Sequence, residues 1–142
     1  MDTKATLKLT LEGTRKVLDA ALKEAGVRGQ EISVAVVDSG GHLLAFARTD
    51  EAELQTITIA ENKARSSAFS GIPTGKKSKA GNEGSDHHLL AITLAAGTDK
   101  VVTVQGGLPL IVKGQCVGGV GVSGAAHADG DIARAGAETL AS

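Results

Sequence analysis

The sequence predicts an α+β protein in which an antiparallel sheet of about five strands is flanked by helices. Apolar runs rich in Val, Ile and Leu are separated by glycine-containing links of two to four residues, and links that short join antiparallel neighbours. Segments with apolar residues at helical spacing stand before, between and after these runs. Because the strands are joined directly to one another, the helices are expected to pack on the sheet and not to connect parallel strands.

The first predicted element is a helix over residues 11–25. Its apolar residues recur at helical spacing, Thr10 can cap its first turn, and Gly26 can end it. Before it, alternating residues over 5–9 suggest an extended segment or a swapped arm, and the pattern is too short to decide between the two.

A β-hairpin and a second helix follow. Residues 32–37 and 42–47 are apolar runs joined by the turn sequence DSGG at 38–41, which predicts the hairpin. Apolar residues on one stripe predict a helix over residues 53–69, with Gly71 to end it.

The second half begins with the lysine loop, the glycine-rich and basic segment GIPTGKKSKAGNEGS at residues 71–85. Its composition predicts a loop that is mobile or becomes ordered on binding. A short helix is expected over Asp86–Ala96, and a final helix over residues 129–140. Between these helices the tight turns Gly106-Gly107 and Lys113-Gly114 separate three predicted strands, which cover residues 101–104, 108–112 and 115–122.

Composition narrows the classes of function. A chain of 142 residues is expected to form one domain over residues 1–142. Its net charge of -1 gives no electrostatic reason to expect a nucleic acid or an anionic membrane as a partner. The aromatic residues are Phe46 and Phe69 alone. Two aromatic side chains are too few to build a base-stacking surface or an aromatic cage for a ligand.

The lone Cys116 and the N-terminal residues predict a soluble cytoplasmic protein. One cysteine excludes an internal disulfide and multi-cysteine metal sites, and it fits a reducing compartment. The sequence MDTKATLKLTLEG has no signal-like apolar run, and no segment approaches the roughly 20 apolar residues that span a bilayer.

Two glycine motifs resemble nucleotide sites without meeting their requirements. Gly119, Gly121 and Gly124 spell G-x-G-x-x-G, but they follow a hairpin, and the chain offers no parallel strand after them. They are expected instead to permit close approach of a helix, a neighbouring subunit or a flat ligand. GIPTGKKS is one residue too short between its glycines for a P-loop and follows a helix. No nucleotide cofactor is therefore expected.

The ionisable residues leave several interpretations open. The lysines at 76, 77 and 79 form either a solvated patch or a surface that steers an anionic ligand. His87 and His88 are adjacent, so they cannot readily chelate one metal together. For these residues, as for His42 and His127, an ordinary surface or hydrogen-bonded histidine is the competing interpretation.

Three blocks of sequence identify a family resemblance. VAVVDSGGHLLAFARTDEA at 34–52, ENKARSSAFSG at 61–71 and GGLPLIVKGQCVGGVGVSGA at 106–125 resemble the GlcG, HbpS and PduO C-terminal-domain family over nearly the whole chain. The resemblance implies a profilin-like three-layer arrangement assembled into homo-oligomers, in a family that includes haem-binding and haem-degrading proteins. Residues 72–100 depart from the family pattern.

The resemblance makes haem, or a related tetrapyrrole, the expected ligand. Haem requires an axial donor such as imidazole, apolar cover for its faces and cations for its propionates. No metal is expected beyond the haem iron, for which His42, His87 and His88 are the candidate ligands, with Arg48 and Lys63 as candidate propionate partners.

Two alternatives belong to other classes of function, and the sequence leaves open whether the protein is an enzyme. In the first, a catabolic enzyme acts on a carboxylate metabolite at a subunit interface, where Arg48, Asp50, Lys63 and a histidine bind and transfer protons. The competing interpretation of that set is a structural ion pair in which Arg48 or Lys63 neutralises Asp50. In the second, the protein is an oligomeric accessory protein without a ligand.

Overall fold

A four-stranded antiparallel sheet lies between two helical layers in the computed structural model, which describes residues 1–141. The strands are β1 (Ser33–Asp38), β2 (Leu43–Arg48), β3 (Gly107–Val112) and β4 (Gln115–Ser123), in the spatial order β2-β1-β4-β3. The helices are α1 (Leu11–Val27), α2 (Gln55–Ser70), α3 (Asp86–Ala96) and α4 (Asp129–Ala137), with a 3-10 turn at Ala126–Ala128. The α+β class, the antiparallel sheet and the flanking helices are confirmed.

The prediction of about five strands was wrong, because residues 101–104 do not form one. The backbone N–H of Val101 donates to the carbonyl of Gly97, and that of Val102 donates to the hydroxyl of Ser66. These bonds hold the segment against the end of α2, away from the sheet, so β3 is an edge strand of the described chain. Ser142 of the predicted domain lies outside the described residues.

The two faces of the sheet carry side chains of different size. On one face, Val34, Val36, Val120 and Val122 pack with α1 and α4 in the larger apolar cluster, which also holds Ile132. On the other face, Ala35 and Val37 pack against Ala60, Ala64 and Ala68 of α2. Because side chains alternate between the two faces along each strand, the face that packs on α1 and α4 carries a thicker apolar layer than the face that packs on α2.

The glycines of β4 let α2 approach the sheet backbone. A Cβ atom at Gly119 would overlap the carbonyl oxygen of Ala64, and one at Gly121 would overlap that of Ala60. The sequence left three explanations for these glycines open, and the structure shows one of them, the close approach of a helix.

The helix ends follow their capping residues. The Thr10 hydroxyl accepts a 3.0 Å hydrogen bond from the Gly13 N–H, as expected, but α1 continues two residues beyond the predicted end. α2 ends at Gly71, which is in the left-handed conformation (φ 73°). α3 has the predicted bounds, and α4 ends three residues earlier than predicted. Residues 5–9 form no strand.

Candidate functional site

A cavity of about 760 Å³ lies between the C-terminal end of α2, the lysine loop and α3. Its volume falls within the range of small-molecule sites in proteins. Gly71 ends α2, and the lysine loop that follows it leads into α3.

The lysine loop is attached at its base and folded on itself. The Thr74 N–H donates to the carbonyl of Gly107, while the Thr74 hydroxyl accepts a 2.8 Å bond from the Gly107 N–H. Further along, the backbone pairs Lys77 with Glu83 in an antiparallel bridge. These bonds hold the lysine loop as one wall of the cavity.

α3 forms the opposite wall and is only lightly attached to the rest of the chain. Ser85 caps it, with its hydroxyl accepting a 3.1 Å bond from the His88 N–H. Leu89 is its one buried residue, while Leu90 and Leu94 are 61% and 72% exposed. A helix of such apolar composition that leaves most of its surface exposed is typical of an interaction surface.

The cavity combines apolar walls with cations and one imidazole. His88 lines it, whereas His87 does not. Lys76 and Lys77 form no ion pair within residues 1–141, and Lys100 lies 3.4 Å from Asp99. The large apolar side chains of the lining are those of Phe69, Ile72, Leu89, Ile92, Val101 and Val102.

His42 lies elsewhere, on the β1–β2 turn. Its side chain is 83% exposed, and its Nδ1 atom lies 3.3 Å from Oδ1 of Asp38. Partial burial raises the pKa of Asp38, but hydrogen bonds from the N–H groups of His42 and Gly40, together with the His42 ring, outweigh it, so the pKa lies below its ordinary value. His127, the fourth histidine, is exposed in the 3-10 turn before α4.

Lys63 is enclosed in the protein, whereas Arg48 and Asp50 are exposed. Its Nζ atom donates to Oδ2 of Asp129 at 3.0 Å and to the carbonyl of Val122 at 2.9 Å. The suggestion that Arg48 or Lys63 neutralises Asp50 was therefore wrong, since Lys63 pairs with Asp129 and neither exposed residue forms an ion pair within the described chain. None of these three candidate residues lines the cavity.

Sequence reasoning missed the apolar walls of the cavity and Lys100. The signal was present in α3, where LLAITLAA is apolar at every position except Thr93, and Lys100 follows just after it. It also missed Asp129, whose only sign was the Asp-Gly-Asp sequence at the start of α4.

The fold and the cavity together define a class: a small three-layer α+β protein with an apolar pocket beside its sheet, edged by lysines. Residues 9–138 match the family described as haem degrading protein HbpS-like. The chain belongs to this family, as its sequence blocks predicted.

Three relatives illustrate the similarity. Protein GlcG of Escherichia coli strain K12 is 34% identical over 107 residues, which are 75% of each chain. A double mutant of HbpS from Streptomyces reticuli has a TM-score of 0.82 at 33% identity, over 99% of this chain and 92% of that one. The crystal structure of a PduOC:Heme complex has a TM-score of 0.82 at 25% identity, over 94% of this chain and 96% of that one.

Among residues 1–141, no helix has the length and apolar character needed to cross a membrane. In the same part of the chain, no group of three or more His, Cys, Asp or Glu side chains is arranged to hold a metal ion.

Proposed function

We propose that the protein binds haem, or a closely related tetrapyrrole, in the cavity between α2, the lysine loop and α3. One observation carries the proposal: an imidazole, apolar walls and two lysines without an ion pair in residues 1–141 line the same space of about 760 Å³. The family description and the PduOC:Heme complex of a relative support the same ligand class.

The residues of the cavity fit the chemistry of haem. His88 would supply the axial nitrogen, since neutral imidazole is a common ligand of haem iron. Lys76 and Lys77 would pair with the propionates, and Leu89 and Ile92 would cover an apolar face of the ring. Haem would supply the iron centre, and the protein would bind the ring, orient it and limit its contact with water.

The carboxylate-enzyme alternative gains no support from the geometry. Lys63 is 3% exposed and already paired, and neither it nor Arg48 nor Asp50 lines the cavity. We propose in addition that the protein assembles with copies of itself in the cytoplasm. The exposed leucines of α3 and the lone Cys116 support these two statements.

Titration of the protein with haemin tests the proposal. The wild-type chain is expected to give a saturable Soret band, and His88→Ala is expected to shift that band and weaken binding because the axial nitrogen is lost. His87→Ala is the matched control, because it removes the neighbouring imidazole on the same helix, which does not line the cavity.

His42, which lies within the family block at 34–52, completes the design. If His42→Ala shifts the band and His88→Ala does not, haem binding stands and the assignment of His88 is wrong. If haemin gives no saturable band with the wild-type chain, the proposed function is wrong, and an accessory role without a haem ligand becomes the better hypothesis.

A further inference from the structure

A second concave site lies at the other end of α2, where the helix begins. We call it the acidic cleft; it has a volume of about 500 Å³, and Glu31, Glu51, Glu53, Ser123 and Asp129 are among its lining residues. It shares no residue with the cavity proposed for haem. Whatever it binds is therefore independent of the proposed function.

The acidic cleft carries uncompensated negative charge. No lysine, arginine or histidine lines it, and the nearby Arg28 pairs with Glu24 and Asp131 instead. Asp129 is neutralised by Lys63, but Glu31, Glu51 and Glu53 have no cationic partner within residues 1–141. Three carboxylates exceed the roughly half positive charge at the start of α2, so the cleft attracts cations.

Ser123 presents a free polar atom at the floor of the acidic cleft. It is 6% exposed, and it pairs in register with Ser33, whose hydroxyl bonds that of Thr56 at 2.8 Å. Within the described chain, no hydrogen bond involves the Ser123 hydroxyl. Every fully enclosed side-chain nitrogen or oxygen of that part has a partner, so the Ser123 oxygen retains some accessible surface, and Ser123 lines the acidic cleft. A nearly buried hydroxyl without a partner indicates a position where a ligand can bond.

The geometry points to a small organic ammonium ion as the ligand of the acidic cleft, and we propose that it binds there. An ammonium group donates three hydrogen bonds, and it can bond the Ser123 hydroxyl while its charge pairs with the glutamates. Ile59 and Ala52 in the lining provide contact for a short alkyl chain. A divalent metal is the poorer fit, because the described residues include no three His, Cys, Asp or Glu side chains arranged to hold a metal ion.

Titration of the isotopically labelled, full-length protein with n-butylammonium chloride, followed by amide chemical shifts, tests the proposal. Saturable shifts are expected around residues 52–56 and 123–126. Glu31→Gln combined with Glu53→Gln is expected to weaken binding at least about tenfold, because charged hydrogen bonds are lost. Both glutamates are exposed, so the fold should tolerate these changes.

Three controls test whether binding depends on the charge of the ammonium group and on the glutamates of the acidic cleft. The neutral analogue 1-butanol should not bind, and added salt should weaken the binding of n-butylammonium. Glu138→Gln, at the exposed residue that follows α4, should bind n-butylammonium like the wild type. Ser123→Ala should also weaken it. The proposal is overturned if n-butylammonium gives no saturable shifts, if butanol gives the same shifts, or if the glutamate variants bind as well as the wild-type chain.

Discussion

Lys63 and Asp129 are 66 positions apart in the sequence and meet in the interior at 3.0 Å. Their side chains are 4% and 7% exposed, and each has a second bond: Lys63 to the carbonyl of Val122, and Asp129 from the N–H of Ala125. A buried charge pair with its remaining hydrogen bonds satisfied ties α2, β4 and the start of α4 together.

Replacement of Lys63 by methionine is expected to lower the free energy of unfolding by about 3–5 kcal/mol, because the Asp129 carboxylate remains buried without its cation. Urea unfolding measures this change. Lys16→Met, on the exposed side of α1, is the control and should change stability little. Equal urea midpoints for wild type and Lys63→Met would contradict the structural role of the pair.

Asp38 makes the free energy of unfolding depend on pH in the acidic range. Its pKa in the folded protein lies below the ordinary value of 3.8, with the His42 and Gly40 N–H groups donating to its carboxylate. The carboxylate therefore contributes stability above the pKa of the unfolded chain, and this contribution disappears as pH falls through the lower folded pKa. The wild type should exceed Asp38→Asn in unfolding free energy at neutral pH, with the difference shrinking below about pH 4. Urea unfolding across this range would contradict the assignment if the difference stayed constant.

At the scale of elements, the contact between α2 and β4 determines where the cavity forms. α2 lies directly on the glycine backbone of β4, so its C-terminal end projects past the sheet beside the lysine loop. A helix held at a normal distance by larger side chains would displace that end and the cavity wall that it carries.

Two glycine-to-alanine substitutions distinguish the close packing of α2 on β4 from the general effect of reducing the conformational freedom of the backbone. Gly121→Ala should lower the free energy of unfolding by about 1–3 kcal/mol, because the new methyl group overlaps the rigid backbone of α2. Gly26→Ala, within α1, meets no atom within 4 Å and should raise stability by about 0.5–1 kcal/mol. Thermal unfolding measures both; similar effects of the two changes would exclude the packing explanation.

At the scale of the whole molecule, the cavity is lined by neighbouring segments within residues 66–103, whereas the acidic cleft joins three segments that are distant in sequence. The cavity joins α2, the lysine loop and α3 with residues 100–103, and the acidic cleft joins residues 29–31, 51–59 and 123–129. The two sites lie at opposite ends of α2, so ligands at both would meet the same helix.

The mass in solution tests the proposed assembly. Light scattering at micromolar concentration is expected to give a multiple of the single-chain mass, because α3 exposes Leu90 and Leu94. Leu94→Glu should reduce that mass, whereas Val27→Glu, equally exposed on α1, should not. A monomeric wild type would show that the apolar surface of α3 has another purpose.

Local sequence patterns were sufficient to predict most of the helices and strands and to identify the family. Thr10, Ser85 and Gly71 act at helix ends as their residue types favour, and Ser85 marks the start of α3. Residues 101–104 were assigned wrongly because a Val-rich run has the same pattern whether its N–H groups bond to a neighbouring strand or, as here, to Gly97 and Ser66.

The sequence by itself determined the α+β class, the hairpin, the helices and the membership of the family, because caps, turns and apolar periodicity act between residues close together in the chain. The tertiary structure alone decided that Lys63 pairs with Asp129, that His88 and not His87 lines the cavity, and that Ser123 faces the acidic cleft. The ion pair and the acidic cleft depend on which distant segments meet, and the position of His88 depends on how α3 packs beside α2 and the lysine loop. No local pattern carries that information.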